Sequence, residues 1–269
     1  WQIGIDAEEG SRPLVVFNPH AWPAKMNAEL EMSAVKEGEA LLDAEGQPVP
    51  FQTVQSAATA GGRSRISFVA DLPALGYSLF RLAKRPQIVQ PEPLPAGDTF
   101  LENDHLRLEF DPETGWLKSL WDKRLGAELL GGPAARPVVL DDPSDTWSHD
   151  VFRFDRECGA FTARSVRLVE NGPVRSMVRV TSEWGKSQMV QDFILYRDLE
   201  GVEVRVTVDW RERSKALKLR FPVKIVFQRA TYEIPYGSLE RYTGGDEEPG
   251  QSWLDVSGIL RETGATAGL

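Results

Sequence analysis

The sequence predicts an all-β protein, and two observations carry that prediction. Apolar and polar residues alternate over long stretches, which is the pattern of strands that bury one face. Segment 202–209 is the clearest case, because each valine is followed by a polar residue. Helical periodicity does not persist over any stretch longer than about ten residues. The nearest candidate for a helix, 35–43, contains Gly38, and a glycine inside a helix weakens it.

The first 85 residues are predicted to form a small antiparallel β-sandwich. Short apolar or alternating segments separated by turn residues are typical of this architecture. Those segments are 13–17, 28–32, 50–54, 65–69 and 75–82. Two prolines in 18–23 end the first segment, because proline lacks the amide that a ladder of strands needs.

Residues 86–97 are predicted to be a linker, since four prolines within 86–95 favour an extended chain. Residues 98–269 then form a larger β domain. Its predicted strands are 106–110, 116–121, 136–140, 163–170, 174–184, 189–196, 201–210 and 216–227. Strands of this length indicate broad sheets packed face to face. The last segment, 263–269, resembles the start of a further strand, so we expect the domain to be truncated there.

Composition and charge exclude several classes of partner. The formal net charge is -9, whereas nucleic acids and anionic membranes attract proteins with clustered Lys and Arg. A neutral substrate such as a sugar fits an acidic surface better. The single cysteine, Cys158, cannot form an internal disulfide, which favours a reducing compartment such as the cytoplasm. No apolar run approaches the ~18 residues that a membrane span requires.

A hairpin at 106–121 contains the first specific motif. Residues 111–115 read D-P-E-T-G, and residues 119–123 on the returning strand read S-L-W-D-K. Proline sets the first corner of such a turn, and Gly115 tolerates the positive φ needed to leave it. These residues suit packing and turn formation, and we expect no catalytic role for them.

Three separated segments together resemble glycoside hydrolase family 38, the α-mannosidases. The hairpin, with its flanking residues 102–128, resembles the opening of their C-terminal β-domain. Segment 16–23, which reads V-F-N-P-H-A-W-P, resembles the start of their β portion. The most specific match is A-T-Y-E-I-P-Y-G-S-L-E-R at 230–241, continued by 247–255. The resemblance implies that the larger domain is a galactose-mutarotase-like supersandwich.

The resemblance also implies a function. Family 38 enzymes hydrolyse terminal α-D-mannosides with retention, and they use zinc. By resemblance, the zinc, the aspartate nucleophile and the acid/base carboxylate lie in an N-terminal barrel and an adjoining helical bundle of the same polypeptide. We therefore expect no catalytic residue and no metal ligand in this chain, and an inactive fragment that completes the cleft. The absence of an initiator Met at 1–4 fits part of a longer polypeptide.

Segment 141–150 is the first candidate for sugar binding. It resembles a loop of bacterial family members, and it contains Asp145 and Trp147. A carboxylate accepts the protons of sugar hydroxyls, and an aromatic face stacks on sugar C–H groups. The alternative is a plain turn whose tryptophan covers the edge of the sandwich. We expect the other tryptophans of the strands in the core; these are Trp22, Trp116, Trp121, Trp184 and Trp210.

Segment 231–255 is the second candidate. By resemblance, Tyr236 and Arg241 reach the active-site cleft of the barrel, with Trp253 and Asp255 behind them. Arginine offers a rigid fork of five donors that suits sugar hydroxyls or a carboxylate. Alternatively, Arg241 only holds the loop by pairing with a nearby acid, either Glu240 or Glu247.

Two other functions remain open from the sequence. A stand-alone carbohydrate-binding or assembly module would bind mannose or a related glycan without a catalytic partner. A sugar mutarotase would need a histidine and a carboxylate that converge at the centre of a sheet. Among the histidines, His20, His105 and His149, only the last could serve, and it lies in a predicted loop. None of the three begins a zinc-binding motif.

Overall fold

The computed structural model describes residues 8–59, 61–145 and 147–268. These residues form 23 strands and no helix, so the all-β prediction is confirmed. The first seven strands are β1 (Arg12–Asn18), β2 (Ala24–Ser33), β3 (Glu39–Leu42), β4 (Pro48–Val49), β5 (Phe51–Val54), β6 (Arg63–Leu72) and β7 (Gly76–Lys84). The expectation about residues 1–4 falls outside the described residues.

The remaining strands follow from Ala96 onward. The next six are β8 (Ala96–Gly97), β9 (Phe100–Glu102), β10 (Leu106–Phe110), β11 (Leu117–Asp122), β12 (Ala127–Glu128) and β13 (Arg136–Asp141). Five more are β14 (Glu157–Ala160), β15 (Thr162–Asn171), β16 (Arg175–Trp184), β17 (Ser187–Tyr196) and β18 (Val202–Asp209). The last five are β19 (Lys215–Arg220), β20 (Ile225–Ile234), β21 (Gly237–Arg241), β22 (Leu254–Leu260) and β23 (Thr266–Gly268).

Six antiparallel sheets arrange these strands. Sheet I has the order β1-β7-β3-β4, and sheet II has the order β2-β6-β5. Their inner faces meet in a core that includes Leu41, Ile66 and Leu82, each fully buried. Segment 35–43, the nearest candidate for a helix, contains strand β3 instead. Gly38 precedes it with φ +77°, in a turn that a helix could not contain.

The larger part of the chain contains the other four sheets. Sheet III (β12-β11-β10-β9-β8) packs on sheet IV (β15-β16-β17-β18), and the rings of Phe110 and Phe193 lie 4.8 Å apart between them. Sheet V is β14-β13-β19, and sheet VI is β21-β20-β22-β23. Leu129 and Ile225 belong to the core cluster that joins sheet VI to the end of sheet III.

The structure corrects two predicted segments. The single strand expected at 216–227 is two strands, β19 and β20, which belong to different sheets. Pro222 lies at the break and lacks the amide that would continue the ladder. Segment 231–241, expected to be a loop, is mostly the hairpin of β20 and β21.

The prediction for the tryptophans is wrong for two of the five. Trp22 is 61% exposed and Trp121 is 40% exposed, so neither belongs to the core. Trp184 and Trp210 pack against the buried cluster that contains Phe161. The indole N–H of Trp116 donates to the Phe161 carbonyl over 3.0 Å.

The predicted D-P-E-T-G turn is confirmed in the hairpin of β10 and β11. The Asp111 carboxylate accepts hydrogen bonds from the Thr114 amide over 2.8 Å and the Glu113 amide over 2.9 Å. These bonds favour the charged carboxylate, so they hold the pKa of Asp111 below its ordinary value. Gly115 leaves the turn with φ +73°, as the motif requires.

A buried polar network joins the N-terminal sandwich to sheet IV. The Arg175 guanidinium on β16 donates to Glu170 over 2.8 Å and to Glu29 of β2 over 2.5 Å. Arg205 of β18 reaches the same Glu29 oxygen over 2.8 Å. The side-chain oxygen of Gln52 accepts from the Arg175 amide over 3.1 Å. Contacts of this kind fix the first sandwich against the second part of the chain.

Glu29 makes the stability of this interface sensitive to acid. Burial alone would raise the pKa of Glu29, but the hydrogen bond from Arg205 and the charge of Arg175 outweigh it and lower the pKa to about 2. Because the pKa of Glu29 is lower in the folded protein than its ordinary value of 4.5, the charged carboxylate stabilises the fold at pH values above 4.5. That contribution is lost as the pH falls from 4.5 towards about 2.

We therefore expect Glu29→Gln to lose less stability than the wild type between pH 5 and pH 2. Urea unfolding at several pH values in this range measures the difference. Glu113→Gln removes an exposed carboxylate of the D-P-E-T-G turn and serves as the control. An unchanged acid dependence in Glu29→Gln would contradict the assignment.

Candidate functional site

The tip of the β20–β21 hairpin is a strained two-residue turn. Ile234 pairs with Gly237, which leaves only Pro235 and Tyr236 in the turn. Tyr236 has φ +65° and is fully exposed. Proline followed by a residue with positive φ is the type II arrangement, whose second central position ordinarily takes Gly or Asn. A bulky residue there costs about 1–3 kcal/mol, and strain of this kind is concentrated at functional sites.

Arg241 ends the same hairpin and lies folded against it. Its guanidinium carbon is 5.7 Å from the ring centroid of Tyr232, and Nη1 is 3.3 Å from the Glu248 carboxylate. The Nε atom is buried, and no residue in the described ranges accepts its hydrogen bond. A buried donor without an acceptor is costly.

The alternative pairing expected for Arg241 is wrong in its choice of partner. Glu240 lies 4.0 Å from Arg229, and Glu247 forms an ion pair with Lys218 of β19. The acid that meets Arg241 is Glu248. Arg241 does contact the loop that follows β21, so an anchoring role and a free Nε donor coexist in one side chain.

Asp145 and Trp147 lie in the loop between β13 and β14. Asp145 Oδ2 is 2.6 Å from Nδ1 of His149, and this hydrogen bond holds the pKa of Asp145 below its ordinary value. Trp147 is 79% exposed, so it does not cover the edge of the sandwich. The pair of Asp145 and His149 is also exposed, and it lies in a loop, away from the sheet centre where a mutarotase would need it.

The two candidate segments meet through their loops. Arg153 of the β13–β14 loop forms an ion pair with Asp246 of the β21–β22 loop. The Glu247 amide donates to the Phe152 carbonyl over 3.0 Å, and the Phe154 amide donates to the Glu247 carboxylate over 3.0 Å. Residues that are about ninety positions apart therefore form one continuous surface. The sequence alone indicated both segments but not their contact.

Trp253 and Asp255 lie beside strand β20. The Trp253 carbonyl accepts from the Glu233 amide over 3.1 Å, and the Trp253 side chain is 47% exposed. Asp255 pairs with Thr231 in the ladder of β20 and β22. Asp255 lies on β22, on the side of β20 opposite β21, and no hydrogen bond or ion pair joins either side chain to Arg241 in the described part of the chain.

Sequence reasoning missed Tyr232 and Glu248, which hold the Arg241 side chain. A signal for Tyr232 was present. Arg241 pairs with Ala230 across the hairpin, so Tyr232 is the diagonal neighbour on the same face, within reach of a long side chain. For Glu248 no periodic signal exists, because it lies in an irregular loop.

The described residues hold no group of three or more His, Cys, Asp or Glu side chains that could bind a metal ion. A membrane-spanning helix is likewise absent from residues 8–59, 61–145 and 147–268.

Comparisons with known proteins agree on one family. Alpha-mannosidase G of Dictyostelium discoideum is 26% identical over an alignment of 181 residues that covers 60% of this chain and 16% of that protein. Human alpha-mannosidase 2C1 is 28% identical over 68% of this chain and 19% of its own length. Human lysosomal alpha-mannosidase is 30% identical over 40% of this chain. The chain thus spans a fifth or less of these relatives' length.

Solved structures and family models complete the comparison. The crystal structure of an alpha-mannosidase from Enterococcus faecalis V583 superimposes with a TM-score of 0.69 at 12% identity, over 98% of this chain and 40% of that one. At that identity the match establishes the fold alone. The model of the glycosyl hydrolases family 38 C-terminal domain matches residues 101–259, which are more than half of the chain and include both candidate segments. The chain therefore belongs to glycosyl hydrolase family 38, through the C-terminal domain of these enzymes.

Proposed function

We propose that this chain is the β-rich C-terminal part of an α-mannosidase that hydrolyses terminal α-D-mannosides with retention. Its membership of family 38 supports this proposal, as do the names of its relatives. The nucleophile, the acid/base carboxylate and the zinc ligands belong, in this proposal, to an N-terminal barrel and a helical bundle of the same polypeptide. Residues 1–269, in this proposal, complete the active-site cleft that the barrel and the bundle form.

The observation that carries this role is the strained hairpin tip. Tyr236 is held in a conformation that costs free energy and is fully exposed, so packing within this chain does not explain it. A phenol can accept and donate hydrogen bonds to sugar hydroxyls while its ring covers a sugar face. Arg241 adds a cation whose Nε has no acceptor within the described residues. Both groups suit a polar substrate or a carboxylate of the barrel.

The reaction is tested with the longest natural polypeptide that contains this segment. We expect release of p-nitrophenol from p-nitrophenyl α-D-mannoside, with the α-anomer of mannose detected first by NMR. Activity should be lost on chelation and restored by zinc. Residues 1–269 alone should be inactive. Release of the β-anomer, or activity that survives thorough chelation, would contradict retention or zinc dependence respectively.

In that polypeptide, Arg241→Ala is expected to lower kcat/KM for the mannoside by about 10- to 100-fold. Loss of a charged hydrogen bond to substrate or barrel is worth about 1.5–3 kcal/mol, which corresponds to this range. Arg229→Ala is the matched control, because Arg229 lies in the same hairpin, is 72% exposed and pairs loosely with Glu240. Equal activity of the two variants would show that Arg241 only anchors the loop.

A second candidate function is glycan binding by this chain without a catalytic partner. The 79% exposure of Trp147, next to Asp145, favours it, since exposed aromatic side chains beside carboxylates suit sugars. Isothermal titration of residues 1–269 with an α-mannobiose tests it. Heat of binding that disappears in Trp147→Ala would establish a stand-alone carbohydrate-binding surface.

We further propose a reducing compartment such as the cytoplasm for this protein. Cys158 is the sole cysteine of the chain and is exposed, so the fold uses no internal disulfide. Cell fractionation with an antibody against this segment tests the assignment, and recovery in a secreted fraction would contradict it.

A further inference from the structure

The inner face of sheet IV ends at a strand whose apolar side chains are only half covered. On β17, every second residue is fully buried in the core; these are Met189, Gln191, Phe193 and Leu195. Their partners on β18 are Val208, Val206, Val204 and Val202, which continue the same face. Nevertheless Val206 is 40% exposed and Val208 is 37% exposed. The core-facing side of sheet IV therefore includes a strand, β18, whose apolar side chains are only partly covered by other residues of the chain.

A cavity lies beside the other two valines of this row, Val202 and Val204. Its volume is about 710 Å³, and most of its lining is apolar. Leu120 of sheet III, Phe193 and Val204 of sheet IV, and Val256 of sheet VI all face it. Phe193 and Val204 also belong to the core between sheets III and IV, so the cavity is an opening into the sandwich interior.

The backbone of β18 is also open. In the described residues β18 is the terminal strand of sheet IV and pairs only with β17. Every second amide and carbonyl on its other side therefore lacks a strand partner, which makes this edge a template for a further strand. On its outer face Arg205 is already bound to Glu29 and Glu203, whereas the edge has no strand partner and the inner face is apolar.

We propose that the β18 edge receives a β-strand from another part of the same family 38 polypeptide, and that the apolar side chains of this strand fill the cavity. The open backbone specifies a strand, and the row of valines specifies apolar residues at alternate positions. The lining is that of a permanent, core-like interface. Alpha-mannosidase G is several times longer than its matched part, and the superimposed α-mannosidase is more than twice as long as the part that superimposes. Such enzymes therefore contain the additional chain that the proposal requires. The inference rests on the proposed function in that the chain works as part of a longer enzyme.

The test compares Val206→Asp in residues 1–269 and in the longest natural polypeptide. In the long polypeptide Val206 is buried by the incoming strand, so we expect the Tm to fall by about 5 °C or more. In residues 1–269 the side chain is half exposed, and the Tm should change by less than about 2 °C. Val169→Asp is the matched control, because Val169 is 45% exposed on β15, the opposite edge strand of sheet IV. It should have little effect in either protein.

Hydrogen exchange of the wild-type proteins provides a second readout that needs no variant. In residues 1–269, the amides of Val202–Asp209 that point away from β17 should exchange rapidly. In the long polypeptide the same amides should exchange at least tenfold more slowly. Equal exchange in both, or equal Tm shifts for Val206→Asp in both, would overturn the proposal. Protection that rises with concentration in residues 1–269, together with dimers in sedimentation, would assign the edge to a second copy instead. If the Tm and exchange differences hold while the long polypeptide has no mannosidase activity, only the proposed function fails.

Discussion

Replacing Arg175 with alanine is expected to lower the free energy of unfolding by about 3–5 kcal/mol. The residue is 3% exposed, and its side chain donates to Glu170 over 2.8 Å and to Glu29 over 2.5 Å. Removal of the guanidinium leaves the partly buried Glu170 carboxylate without an ion-pair partner in the described residues, while Glu29 keeps Arg65 and Arg205. An unpaired buried charge costs far more than the net value of the ion pair that contained it.

Urea unfolding of residues 1–269 measures this effect. Arg179→Ala is the matched control, because Arg179 lies on the same strand and donates to Asp192 over 2.7 Å, but is 45% exposed at its side chain. Exposed ion pairs contribute about 1 kcal/mol or less. A loss in Arg175→Ala no larger than that in Arg179→Ala would show that the network does not hold the two parts of the chain together.

Gly115→Ala is expected to cost about 3 kcal/mol or more. The residue has φ +73°, which L-residues with a side chain disfavour. In addition, an added Cβ would overlap Cγ1 of Val180 and lie 2.9 Å from the Cβ of Ala163. Val180 is buried in the core of sheet IV, so it cannot yield without disturbing its neighbours.

Gly126→Ala separates the two contributions. Gly126 has a similar φ of +60°, but nothing lies within 4 Å of its added Cβ. We expect a loss of about 1–2 kcal/mol there from the backbone conformation alone. Thermal or urea unfolding of the two variants gives the difference, which reports the packing of the turn on sheet IV. Equal losses would mean that the turn has no close contact with that sheet.

Local patterns in the sequence predicted much of the fold and the position of the candidate site. The alternation in 202–209 predicted β18, and the D-P-E-T-G motif predicted the turn between β10 and β11. The motif at 230–241 indicated the segment that contains Tyr236, which was expected to be a loop. It did not indicate that this segment consists of strands, because β20 is mostly half-buried, β21 is mostly exposed, and neither shows regular burial alternation.

What the sequence by itself determined is therefore local: strand periodicity, turn chemistry and the family motifs. The tertiary structure alone decided that Glu29 meets Arg175, that the Arg153 loop meets Asp246, and that Gly115 has no room for a side chain. These contacts join residues far apart in the chain. They depend on which sheets stack and in which register, and a period of two residues within one strand contains no information about either.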